Sequence, residues 1–262
     1  LPIWAVDDAE ATAGIFLRCL EDLANQKISA LSGVNAYIHQ HTDVKKLRSH
    51  HAILLVKNQK GLKNLYKLIS RSHLDYFYRQ PRMPKSVIEE LREGILIGSA
   101  CSAGELYEAV LENDSQEELE RLVSFYDYLE IQPLSNNYYL IEDEDHGNIQ
   151  SEEDLKNINR RIVELGRLYN KPVCATCDAH FKDPSDEEFR RILLSAMKFS
   201  DADRPNPLYL RTTEEMLEEF DYLGPEKAYE VVVTNSRLIA DSCDPIEPVR
   251  PDKCPPVIEN SD

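Results

Sequence analysis

The chain has 262 residues, 42% of them hydrophobic, and a formal charge of −17 from 47 acidic against 30 basic side chains. That apolar fraction excludes global disorder, and no apolar run approaches the roughly 18 residues of a membrane-spanning helix. The acidity argues against free-standing nucleic-acid binding, because phosphate neutralisation needs clustered Lys and Arg.

The start, Leu1-Pro2-Ile3-Trp4, has neither an initiator Met nor a basic leader and reads as the cut edge of a longer chain. Asp7 to Ala24 is predicted helical, with Ala9, Ala13, Phe16, Leu17, Leu20 and Leu23 at helical spacing. Asn25 to Arg48 is polar and weakly patterned, as a linker is. After it the periodicity changes. Short apolar runs at His51–Lys57, Gly94–Gly98, Tyr128–Ile131 and Lys171–Cys177 have the length of buried strands.

Helical patterns lie between and after these runs, over Gly61–Ser70, Gly104–Leu111, Glu117–Phe125 and the stretch opened by Ser151, with Leu155, Ile158, Ile162 and Leu165 inward. Ser115-x-x-Glu118, Ser151-x-x-Asp154 and Thr212-x-x-Glu215 are capping signals. Ser185–Met197 is predicted helical with Phe189, Ile192, Leu193 and Ala196 on one face, and a last helix runs from Pro225 to Ala240. Asn136–Gln150 reads as a polar loop holding the solvated acid cluster Glu142-Asp143-Glu144-Asp145, and five Pro between Pro245 and Pro256 make an extended tail. Strand and helix alternate, which predicts an α/β fold with a largely parallel sheet whose chemistry sits at the C-terminal strand ends.

Six Cys spread over this length do not make a disulfide scaffold and read as reduced. Cys174-x-x-Cys177 lacks the second pair of a zinc ribbon and the following helix of a redox motif. The sharpest chemical feature is the strand that ends in Asp178-Ala179-His180. Side chains two apart on a strand face one way, so this carboxylate and imidazole suit a divalent transition metal, or else form a turn Asp and a surface His. Cys101 follows another strand among small residues, and His50 and His51 open a third; a buried Cys and an exposed His are the plain alternative. Asp7-Asp8 is either a metal-binding pair or an acidic first turn. Arg71 to Arg79 mixes bases and aromatics, as a nucleic-acid platform or a local surface cluster does.

Five stretches in order carry a resemblance: His51-Ala-Ile-Leu-Leu-Val-Lys-Asn58, Gly61-Leu-Lys-Asn-Leu-Tyr-Lys-Leu68, Ser72-His-Leu-Asp-Tyr-Phe-Tyr-Arg79, Gly98-Ser-Ala-Cys101 and Ala175-Thr-Cys-Asp178-Ala-His180. Together they resemble the PHP (polymerase and histidinol phosphatase) domain, in the form found in PolC-type α subunits of bacterial DNA polymerase III. Upstream, Ala5-Val-Asp-Asp8-Ala-Glu-Ala-Thr12 is similar to the last motif of the DEDDh 3′–5′ exonuclease inserted in that domain, with Asp8 at its metal-binding Asp and Ile3 where its general-base His is expected.

The resemblance implies a division into residues 1–24 (exonuclease end), 25–48 (linker), 49–242 (C-terminal portion of an incomplete, distorted (β/α)7 barrel) and 243–262 (Pro-rich linker toward a polymerase core). It implies metal ligands at His51, Cys101, Asp178 and His180, with Asp8 a remnant of the exonuclease site. Zn, Mn or Fe is implied at the PHP site, and Mg for the parent polymerase and exonuclease. Implied partners are the rest of the polymerase chain, primer–template DNA, deoxynucleoside triphosphates and the sliding clamp, in the cytoplasm. The site is expected to be structural rather than catalytic in this piece; a stand-alone metal-dependent phosphoesterase is the alternative.

Overall fold

The structure, a computed structural model, describes residues 3–30, 33, 34, 37, 38, 42–142, 149–199, 202, 207–249 and 252. Residues 143–148 of the expected polar loop, most of the Pro-rich tail, and Cys254 lie outside the described residues, while the start of that loop is helical because Leu140 is drawn into the core.

Helix α1 (Ile3–Asn25) begins four residues before the periodicity predicts, which moves Asp7 and Asp8 out of its first turn. From Asp8 to Asp22 every side chain is exposed. Then follow β1 (Ile53–Val56), α2 (Gln59–Leu74), α3 (Lys85–Glu90), β2 (Ile95–Gly98), α4 (Glu105–Leu111), α5 (Gln116–Phe125) and β3 (Leu129–Ile131). After a short turn α6 (Tyr139–Glu142) come α7 (Glu152–Leu168), β4 (Val173–Ala175), α8 (Glu187–Ala196), α9 (Thr213–Glu219), α10 (Pro225–Tyr229) and α11 (Asn235–Asp241). The last helix expected from sequence is continuous from α10 to α11, with a π-helical turn, Glu230–Thr234, inside it.

Caps set the helix starts. The Asn58 side chain accepts from the Gly61 N–H at α2, Ser115 from the Glu118 N–H at α5, and Ser151 from the Asp154 N–H at α7. At α9 the box is complete: the Thr212 hydroxyl accepts from the Glu215 N–H, and Glu215 accepts from the Thr212 N–H.

The sheet is mixed, not parallel throughout. β1 and β2 pair antiparallel, from Ile53 opposite Gly98 to Val56 opposite Ile95. β3 and β4 pair parallel, from Leu129 opposite Val173 to Ile131 opposite Ala175. A parallel bridge between Gly98 and Tyr128 joins the two pairs, so the strands run in the order β1, β2, β3, β4. The reversal of β1 was not predicted, because an apolar strand pattern carries no direction. Among the described residues the strands do not close into a barrel.

One face of the sheet, with Ile95, Ile97, Leu129, Ile131, Val173 and Ala175, packs under the helices in the main core. Leu68 of α2, Leu106 of α4, Leu122 of α5 and Leu155, Ile162 and Leu165 of α7 seal it. Each fully buried Leu or Ile of this kind contributes about 1.5–3 kcal/mol. The opposite face is smaller: Tyr128, Cys174 and Ile239, with Ile53, Leu55 and Leu96. The apolar face of α8 is left open. Phe189 and Leu193 are each 64% exposed, and Ile192 is exposed as well, because no other element packs over them among the described residues.

Candidate metal centre

The loops that leave β2 and β4 carry the candidate donors. Cys101 lies three residues past the end of β2, and the turn there holds Ala100 at φ +62. Asp178 lies three residues past β4 and itself sits at φ +50. Left-handed backbone is uncommon for a non-Gly residue and clusters where a site holds a side chain in place. Both candidate loops therefore contain a strained residue at or beside the donor.

His51 is anchored from its backbone, whose N–H donates to the Ala103 carbonyl at 2.9 Å. Its Nδ1 then lies 3.4 Å from Cys101 Sγ. His50 goes elsewhere, with Nδ1 3.3 Å from a carboxylate oxygen of Glu108. His51, not His50, is thus the imidazole beside Cys101. In the second loop His180 Nδ1 lies 2.8 Å from the Asp178 carbonyl and 3.8 Å from Asp178 Oδ1. A carbonyl only accepts, so Nδ1 carries the proton and Nε2 keeps the lone pair that a metal needs. The loop is tied to the segment ahead of α9: His180 N–H donates to the Leu208 carbonyl, and Phe181 bridges Tyr209.

Burial pushes the Cys101 thiol up. An Ala103 N–H favours the thiolate, whereas the nearby Asp178 and Glu130 carboxylates oppose it. Cys101, Asp178 and Glu130 are therefore electrostatic neighbours, although two come from the loops after β2 and β4 and the third from the middle of β3. A cation bound among them would reverse the balance, since a coordinating thiol gives up its proton.

The expected residues are thus brought together in two pairs, His51 with Cys101 and Asp178 with His180. Among the described residues no three His, Cys, Asp or Glu side chains converge as a ready site for one ion. The donors fit a divalent transition metal in kind (imidazole, thiolate and carboxylate), but two at a time in position. Asp8 is not brought to them. It stands exposed on α1, its carbonyl accepting from the Thr12 hydroxyl at 2.8 Å. Cys174 is buried and 3.2 Å from the Ser236 hydroxyl. The base–aromatic stretch is engaged locally, Arg71 with Glu90 at 2.8 Å and Arg79 over the Tyr78 ring.

Two polar residues near these loops escaped the sequence reading. Glu130 is buried in β3, and its only sequence signal is an acid between Leu129 and Ile131 in an apolar run. Arg211 is buried over the Tyr209 ring, 3.0 Å from Glu219 Oε1 and 2.9 Å from the Ser135 hydroxyl, and it follows no motif.

The family model of the PHP domain matches residues 12–139. A PolC-type DNA polymerase III of Clostridium perfringens is 51% identical over 259 residues, and that of Caldanaerobacter subterraneus is also 51% identical over 259. The PolC-type enzyme of Bacillus subtilis is 43% identical over 261 residues. In each case the match takes in 98% of this chain but 18% of the relative. The described residues thus form a mixed α/β fold, and just under half of the chain is similar to the PHP domain. Along almost its whole length the chain is similar to a stretch of PolC-type DNA polymerase III that makes up about a fifth of those relatives.

Proposed function

We propose that this chain is the metal-binding, stabilising PHP segment of a replicative DNA polymerase that extends primers from deoxynucleoside triphosphates and carries a 3′–5′ exonuclease. The observation that carries the reading is its similarity to PolC-type polymerases over 98% of its length. On this reading β1 to β4 are part of a distorted (β/α)7 barrel. Residues 49–242 are its C-terminal portion, 25–48 a linker, and 243–262 the lead into the polymerase core. Residues 1–24 are the end of the exonuclease, a reading that rests on the similarity of Ala5 to Thr12 around Asp8. Primer–template DNA, nucleotides and the sliding clamp are partners of the whole polymerase, and its location is the cytoplasm.

His51, Cys101, Asp178 and His180 would hold Zn, Mn or Fe; Mg serves the polymerase and exonuclease centres. When bound, such an ion supplies Lewis acidity. The chain's own part is to present the donors: His51 beside the thiol, and His180 with its proton fixed on Nδ1. No general acid or base is assigned, so the site is read as a strut between strand ends.

Metal analysis of the full-length polypeptide tests this. Asp178→Ala and His180→Ala are expected to lower bound transition metal and thermal stability together. Unchanged metal content in both variants overturns the ligand assignment. Metal-dependent hydrolysis of p-nitrophenyl phosphate that disappears in both variants favours the phosphoesterase reading instead.

A further inference from the structure

Glu130 is the one carboxylate buried among the described residues, at 6% exposure. Strand alternation explains its direction: Leu129 and Ile131 enter the main core, so Glu130 faces the other side of the sheet. No Lys or Arg among the described residues forms an ion pair with it. Its Oε1 is buried and makes no well-aligned hydrogen bond, while the nearby Tyr128 hydroxyl and Ala100 N–H, both neutral donors, favour its charged form. Burying a carboxylate without a compensating charge is costly.

Its bonds reach both candidate loops. The Glu130 N–H donates to the Ser99 hydroxyl at 2.9 Å, two residues before Cys101. Its Oε2 accepts from the Thr176 hydroxyl at 3.1 Å, two residues before Asp178. β3 lies between β2 and β4, so this single residue connects the loop of one donor pair to the loop of the other. Gly98 makes room for it: a Cβ there would meet Oε1 at 2.7 Å.

We propose that Glu130 is a positioning residue for the metal centre, setting the separation of the His51–Cys101 and Asp178–His180 pairs. The proposal rests on the metal-binding reading of those pairs. A cation held between them also offsets the buried negative charge, which is why a carboxylate stands there rather than an amide.

The test uses the full-length polypeptide, stripped by chelation and reloaded with Co(II). Two quantities are read: the near-ultraviolet thiolate-to-cobalt absorption, defined as the part that Cys101→Ser removes, and the Kd for Co(II) against a competing chelator. Glu130→Gln is expected to weaken Co(II) binding about 10–100-fold, as loss of a metal-supporting partner does, and to diminish that absorption. Thr176→Val should act in the same direction and more weakly. If both variants keep the wild-type Kd and absorption, Glu130 is only a buried structural group and the proposal fails. If Glu130→Gln does not fold by circular dichroism, Thr176→Val decides alone. Should Cys101→Ser and Asp178→Ala also leave Co(II) binding intact, the metal reading itself fails, a result distinct from failure of the Glu130 variants alone.

Discussion

His51 Nδ1 lies 3.4 Å from Cys101 Sγ, across fifty residues of chain. The contact exists because the segment entering β1 bridges Gly104, just after β2. It separates two adjacent histidines by role. His51→Ala is expected to abolish metal-dependent thermal stabilisation, whereas His50→Ala, which removes only a Glu108 partner, should keep it. At a hundredfold excess over Kd the bound ion is worth about 2.7 kcal/mol. Thermal unfolding of the full-length polypeptide with and without added metal checks this. Equal loss in both variants would contradict it.

Gly98 and Gly61 mark close approaches that tolerate no methyl. A Cβ at Gly98 would fall 2.4 Å from the Tyr128 ring, and one at Gly61 would fall 1.8 Å from the Gly94 carbonyl oxygen. Gly98→Ala should destabilise by about 1–3 kcal/mol, typical of overpacking. Gly61→Ala should cost more, because backbone rather than a side chain must move. Urea midpoints rank the two, and the reverse order would refute the argument.

The start of α7 ties stability to pH. The Ser151 hydroxyl, with the Gln150 N–H, holds the Asp154 carboxyl below its usual range. A carboxyl with a depressed native value stabilises the fold above the ordinary Asp range near 3.9 and loses that contribution as pH falls through the native value. Ser151→Ala should cost about 0.5–2 kcal/mol at neutral pH. The deficit relative to wild type should shrink on acidification. Urea unfolding across pH would show it, and a deficit that is flat with pH would count against the coupling.

The outward face of α8 makes a contrasting pair. Phe189→Ala and Leu193→Ala should each change stability by no more than about 0.5 kcal/mol, since both residues are 64% exposed. Leu165→Ala in α7, at 0% exposure, should cost about 2–5 kcal/mol. Comparable losses at the two helices would mean that α8 is covered.

Much of this fold is legible locally. The caps at Ser115, Ser151 and Thr212 form within three residues of chain, and the four strands fall inside the predicted apolar runs. The inward stripe of α7 repeats at helical spacing and is buried as predicted, whereas the same kind of stripe on α8 is not. Amphipathicity says which face is apolar; it does not say whether another element arrives to cover it.

By itself the sequence determined the α/β class, the capped starts of α5, α7 and α9, the absence of a membrane-length apolar run and the residues that carry the PHP resemblance. These depend on periodicity and short-range hydrogen bonding, which a single stretch of chain contains. Only the tertiary structure decided that β1 runs antiparallel to β2, that His51 rather than His50 meets Cys101, and that Glu130 links the Cys101 and Asp178 loops. Those outcomes depend on strand direction and on contacts across dozens of residues, where packing and the cost of burying a charge select among arrangements that local pattern leaves equal.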